Sequence, residues 1–153
     1  MKLLALDLGT QTGWALHAGA GLESGVQAFD LKRGESPGMR YLRFRRWLEE
    51  VGTGVELIIY EAAHHRGGAA TEVAAGFATR VQEFCARHGV EHAAVHSATL
   101  KKWTTGKGNA DKAGMLEAVS RRWKPVTDDN EADAVALLQY ALREIVPLEA
   151  VAR

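Results

Sequence analysis

Leu57-Ile58-Ile59-Tyr60-Glu61 is an apolar run closed by a carboxylate, and Leu3-Leu4-Ala5-Leu6-Asp7-Leu8-Gly9-Thr10 repeats that pattern at the start of the chain. Short continuous apolar runs bounded by turn residues predict strands buried on both faces. An ionised carboxylate in such a setting is costly unless it is paired or binds a metal. A third acid, Asp133, is embedded in the helical stretch Asn130-Glu131-Ala132-Asp133-Ala134-Val135-Ala136-Leu137-Leu138. Three acids from distant parts of the chain, each in apolar surroundings, predict one shared divalent-cation site.

Working outward, residues 2–8 predict a strand, Gly9-Thr10-Gln11-Thr12-Gly13 a turn, and residues 14–18 the returning strand. A third strand over 25–31 follows the turn Gly19-Ala20-Gly21, completing an antiparallel meander. After Ser36-Pro37-Gly38 a helix places Tyr41, Phe44, Leu48 and Val51 on one face. Gly52-Thr53-Gly54 ends it, and residues 55–60 form the fourth strand. A helix over 71–88 carries the stripe Val73, Ala74, Phe77, Ala78, Val81, Phe84 and Cys85, with Gly89 as its C-cap. Residues 90–95 predict a fifth strand, followed by helices over 98–103 and 111–123. Pro125 breaks the chain, and Asp128 or Asp129 caps a last helix over 130–145. With no repeat or linker, residues 1–153 are expected to form a single α/β domain, a five-stranded mixed sheet flanked by helices on both faces. Adjacent strand ends then bring Asp7 and Glu61 together, and the last helix adds Asp133.

A length of 153 residues, 46% hydrophobic and 25% charged, fits one globular domain with a real core. No apolar run is long enough to span a membrane, and Met1-Lys2 leads directly into the first strand without a signal peptide. The lone Cys85 excludes an internal disulfide and a multi-thiolate zinc site, so a cytoplasmic setting is expected. Net charge is zero, yet residues 32–46 hold six and residues 101–124 hold seven of the nineteen Lys and Arg. Local patches, not the total, decide whether phosphates bind.

Asp7, Glu61 and Asp133 offer hard oxygen ligands suited to Mg²⁺ or Mn²⁺ and not to zinc. Two such ions can activate water on one side of a phosphodiester and stabilise the leaving oxygen on the other. Asp129 and Asn130 precede Asp133 by four and three positions, which puts them on its helix face, whereas Glu131 projects away. Taken singly, each acid has a commoner explanation: a turn cap for Asp7, an arginine partner for Glu61, a helix cap for residues 128–131. Their coincidence favours the metal site. The block Lys101-Lys102-Trp103-Thr104-Thr105-Gly106-Lys107-Gly108-Asn109-Ala110-Asp111-Lys112 combines lysines with a flexible turn and a helix start, all useful against a phosphate chain, although a solvated loop explains it equally well. His64, His65 and Arg66 follow Glu61 and would flank the site, as DNA contacts or as an ordinary polar loop. Trp47, Trp103 and Trp123 read as packing residues, and of these only Trp103, inside the basic block, is also a candidate for stacking on nucleic acid.

The string Asp7-Leu8-Gly9-Thr10-Gln11-Thr12-Gly13 resembles the first phosphate motif of sugar-kinase and actin-like ATPases, and equally the first motif of ribonuclease-H-like nucleases. The ATPases need two such domains, and this chain has room for one. Gly106-Lys107-Gly108 lacks the spacing of a Walker loop.

Taken together, these residues resemble the RuvC family of Holliday-junction resolvases, within the ribonuclease-H-like superfold. Asp7 matches the family's first acid, Glu61 its second, and Asp133, in Asn130-Glu131-Ala132-Asp133-Ala134, its last. Residues 97–112 resemble the basic segment, with Lys101 or Lys102 and Lys112 at the positions of lysines that hold substrate backbone and Lys107 between them. Two positions depart from the pattern. Asn130 stands where the family has an acid, leaving its carbonyl or Asp129 as the replacement ligand. His64 stands where an aromatic residue often wedges the junction open. The short chain and the Asn-Glu-Ala-Asp form look most like phage or prophage members. The resemblance implies Mg²⁺, with Mn²⁺ as substitute, and a homodimer built largely on the helix over 71–88. It also implies paired nicks in opposed strands of a four-way DNA junction, with Asp7, Glu61, Asp133 and Asn130 as catalytic residues. The competing expectations are a related nuclease acting on RNA or on branched and flap DNA, and a non-catalytic nucleic-acid-binding scaffold whose metal site has decayed.

Overall fold

The computed structural model describes residues 1–62 and 67–147. Strands β1 (Leu3–Asp7), β2 (Gln11–Ala18), β3 (Gly21–Ala28), β4 (Leu57–Glu61) and β5 (Glu91–Val95) form one sheet in the order β3-β2-β1-β4-β5. β2 pairs antiparallel with β1 and β3, while β4 pairs parallel with β1 and β5. Helices α1 (Gly38–Val51) and α2 (Ala69–His88) precede β4 and β5, and α3 (Ser97–Thr105), α4 (Lys112–Arg122) and α5 (Asp129–Tyr140) follow.

Strand alternation sorts the core into two layers. Leu3, Ala5, Leu57 and Ile59 pack with Met115, Val119 and the buried residues of α5. Leu4, Leu6, Ile58 and Tyr60 face Phe44 and Leu48 of α1 and Phe77, Val81 and Phe84 of α2. Both faces are thus covered, which explains why β1 and β4 are continuously apolar and do not alternate with polar residues. The stripe expected on α2 is present: Phe77, Val81, Phe84 and Cys85 are buried in the core layer shared with the chain's own sheet and α1, and Val73 and Ala78 are partly buried beside them.

The strand boundaries correct two expectations. β2 begins at Gln11, because Thr12 and Gly13 are paired strand residues and only Leu8-Gly9-Thr10 make the turn. Thr12 is fully buried, and its hydroxyl donates to the Gly9 carbonyl at 2.7 Å, latching that turn. β3 runs from Gly21 to Ala28 and not over 25–31. Gly25 sits opposite Trp14, where a Cβ would come within 3.1 Å of the indole, so this glycine makes room for an aromatic neighbour and does not start a strand. Phe29 leaves the sheet to join Phe44, Trp47 and Phe77 in an aromatic cluster. The last helix also ends earlier than expected as regular α-helix, and residues Ala141–Ile145 continue it as a π-helical turn.

Candidate metal centre

Asp7 and Glu61 are the last residues of β1 and β4, which run parallel with Leu3 opposite Leu57 and Ala5 opposite Ile59. The period of two therefore points both carboxylates toward the layer that contains α5. Asp133 lies on α5 one turn from its start, and Asp7, Glu61 and Asp133 each offer an oxygen within 4.8 Å of the others. All three keep partial solvent access.

Two local features seat α5 against the strands. Asp128 is its N-cap, accepting from the N–H groups of Asn130 at 2.8 Å and Glu131 at 3.1 Å. Gly13, directly opposite Asp7 in β2, then lets the first turn settle onto the sheet. A Cβ at Gly13 would lie 1.9 Å from the Asn130 carbonyl oxygen, too close for any side chain. Gly13→Ala is therefore expected to destabilise the protein by about 2–3 kcal/mol, because backbone must move on both sides. At roughly 2–4 °C per kcal/mol for a chain of this size, thermal melting reads the loss as a clear fall in Tm.

The cluster is short of positive charge. Burial, then the carboxylates of Asp133 and Glu61, hold the Asp7 carboxyl well above the ordinary aspartate range. Burial first, then Glu61 and Asp129, push Asp133 up to about 7, against the opposing pull of Lys101 and Lys112. Such carboxyls give up their protons readily only when another cation joins them. Hard oxygens from three carboxylates fit a divalent cation such as Mg²⁺ or Mn²⁺. The cluster opens into a cavity of about 360 Å³ lined by Glu61, Lys101, Lys112, Asp129 and Asp133 among others.

The remaining expected site residues divide. Asp129 is beside the cluster without joining its shared sphere, and its carboxylate lies 3.4 Å from the Lys112 ammonium. Asn130 is fixed through its backbone, by the Asp128 cap and the contact over Gly13. Glu131 turns to the other side, accepting from Ser24 at 2.7 Å with Lys124 at 3.9 Å, so α5 is tied to β3 there. Lys101 and Lys112 line the acid cavity. Lys107 lines a neighbouring cavity of about 430 Å³ together with Asn109, Glu117 and Arg121, and Lys102 is exposed on α3. His64 and His65, with Arg66, lie outside the described residues.

Trp103 is a packing residue, as read from the sequence, and is not free for the stacking on nucleic acid also considered for it. Its ring stacks on Trp123 at 5.7 Å and 10°, Arg122 lies over both rings, and its indole N–H donates to Glu144 at 3.1 Å. Its faces are thus taken up inside the α3–α4 pair. Sequence reasoning also missed Gly13 and Thr12, which shape the site without touching an ion; the one available signal was two small residues beside an acid-bearing turn. Cys85 is buried, and burial raises its thiol to about 11, so it is inert at neutral pH.

No protein-family profile and no curated protein matches this sequence. Solved structures do. The RuvC structure of Thermus thermophilus superposes with a TM-score of 0.71 at 19% identity, covering 93% of this chain and 96% of that one. T. thermophilus RuvC in complex with a Holliday junction substrate gives 0.71 at 20% identity, covering 90% of each chain. The chain therefore has the RuvC-like form of the ribonuclease-H-like fold.

Proposed function

We propose that this chain is a divalent-cation-dependent endonuclease that resolves four-way DNA junctions by paired incision of opposed strands. The observation that carries the proposal is the convergence of Asp7, Glu61 and Asp133 within 4.8 Å, on a fold that a RuvC bound to a Holliday junction shares. In this reading Asp7, Glu61 and Asp133 hold Mg²⁺, or Mn²⁺ in its place. When bound, the cation supplies Lewis-acid polarisation of the phosphate and a more acidic water. Lys101 and Lys112 face the same cavity and neutralise the backbone phosphates. Asp129 lies 3.4 Å from Lys112 and would orient it, and Asn130 or Asp129 would stand in for the fourth acid.

Paired incision needs two sites, so the active species is a homodimer in the cytoplasm, where branched DNA arises. The buried α2 residues cannot form its interface, since the core already covers them. Among the described residues no helix is long and apolar enough to cross a membrane. The deciding experiment incubates purified protein with a synthetic four-way junction in Mg²⁺ and maps nicks on all four strands. Symmetrical nicks near the crossover are expected. Equal or faster cutting of a Y-fork, duplex or RNA–DNA hybrid would replace the junction by that substrate, and tight binding without nicking in either Mg²⁺ or Mn²⁺ would leave a scaffold.

A further inference from the structure

Strands β1, β3, β4 and β5 all run the same way, so their ends share one edge of the sheet. The acids occupy the middle of that edge. On the face of the sheet that carries α5 lie α3 with Lys101 and α4 with Lys112, both packed against α5. The loop of residues 29–37 follows β3 and opens the first of the two basic stretches of sequence, and its Phe29 is buried in the core layer of α1 and α2, on the opposite face from α5. Its start is anchored beside the site, where the Phe29 N–H donates to the Thr10 carbonyl at 2.7 Å.

This loop is built. Glu35 accepts from the Lys32 N–H at 2.5 Å and forms an ion pair with Arg43. Its own N–H donates to the Lys32 carbonyl at 3.1 Å, closing a tight turn that Gly34 completes at φ +82°, a left-handed conformation suited to glycine. Asp30 is engaged as well, its carboxylate by Gln11 at 3.1–3.2 Å and its carbonyl by Arg43 at 3.2 Å. Both carboxylates of the loop are thus engaged, Glu35 by the Lys32 N–H and Arg43, and Asp30 by Gln11. Lys32 and Arg33 are left exposed at the turn, without an ion pair among the described residues. Arg40, on the adjoining turn of α1, has a buried Nε with no hydrogen-bond partner among those residues. Cations arranged only for solubility would not need a stapled turn beneath them.

We infer that the Lys32-Arg33 turn is a second contact for the sugar-phosphate backbone. It would grip the arm of the substrate that flanks the cut, on the opposite side of the acids from Lys101 and Lys112. Five strands at about 4.8 Å spacing make this edge roughly 19 Å wide, about six nucleotides of a B-form strand at ~3.4 Å each. The inference rests on the nuclease reading, and its test separates the two.

Binding of a four-way junction is measured in EDTA across a salt series for the wild type and for Lys32→Gln/Arg33→Gln. One set of junctions has long arms, and a second set is trimmed so that the arms stop short of the loop. Both residues are exposed, so the double variant should fold normally. On long arms it should bind about tenfold more weakly, with a salt slope lower by roughly 1.8, at ~0.9 per phosphate contact. On trimmed arms it should match the wild type, and its nicking rate at saturating substrate should be unchanged. An unaltered slope on long arms, or an equal loss on trimmed ones, would overturn the inference while the wild type's own nicking upholds the nuclease. A wild type that binds no nucleic acid would remove both.

Discussion

Asp7→Asn and Glu61→Gln are each expected to reduce nicking of a four-way junction by about 10³-fold or more while the junction stays bound. The acids offer oxygens within 4.8 Å of one another, so each substitution removes one charged oxygen from the three that would hold the cation. A metal's contribution of several kcal/mol to such a step converts, at 1.36 kcal/mol per tenfold, to at least that factor. Both changes preserve shape, and the fold should persist. Affinity should hold or tighten, because a negative charge has left a surface that must approach phosphates. Gel-shift titration and single-turnover nicking on the same preparations check the two halves together. Nicking at the wild-type rate by either variant would disprove the assignment.

The second large effect concerns the metal-free protein, whose stability should fall as pH rises from about 4 to about 7. Asp133 titrates near the usual 3.8 when unfolded and at about 7 in the folded chain. Below both values it is protonated in either state and costs nothing. Between them the unfolded chain releases a proton that the folded chain retains, so unfolding gains. Asp7, also raised, acts in the same direction. At 1.36 kcal/mol per pKa unit the Asp133 contribution is bounded near 4 kcal/mol, and its partial exposure reduces that to about 2. Asp133→Asn in EDTA at neutral pH should therefore melt about 4–8 °C above the wild type. Mg²⁺ or Mn²⁺ should reverse the order, stabilising only the wild type, by about 2.7 kcal/mol at a hundredfold excess over Kd. Calorimetry in EDTA and in metal checks this, and a variant that melts no higher than the wild type in EDTA would count against it.

The grouping of Asp7, Glu61 and Asp133 was legible because burial and periodicity are local properties. An acid closing an apolar strand declares its face, and parallel neighbours must bring two such ends together. The sheet, its two helical layers and most helix limits followed for the same reason. Gly13 was not legible as a strand residue, because its requirement comes from Asn130, far along the chain, and beside Gly9 it imitates a turn. Gly25 misled similarly, through Trp14. Trp103 was legible as a packing residue but its partners, Trp123 and Glu144, were not, because they are distant in sequence. The stripe on α2 was read correctly as apolar, but apolarity alone does not say whether the chain's own core or a second subunit covers it.

α5 is buried at Ala132 and from Ala134 to Leu138, contacted by strands on one side and by α3 and α4 on the other, and its alanines permit that close approach. A rod sealed in this way cannot fray piecemeal, so its amide protons should trade with solvent only when the entire molecule opens. Asp133 rides on this segment, which should be the slowest to exchange. One corner of the acidic triad is therefore as durable as the protein itself, and partial opening elsewhere would leave it standing.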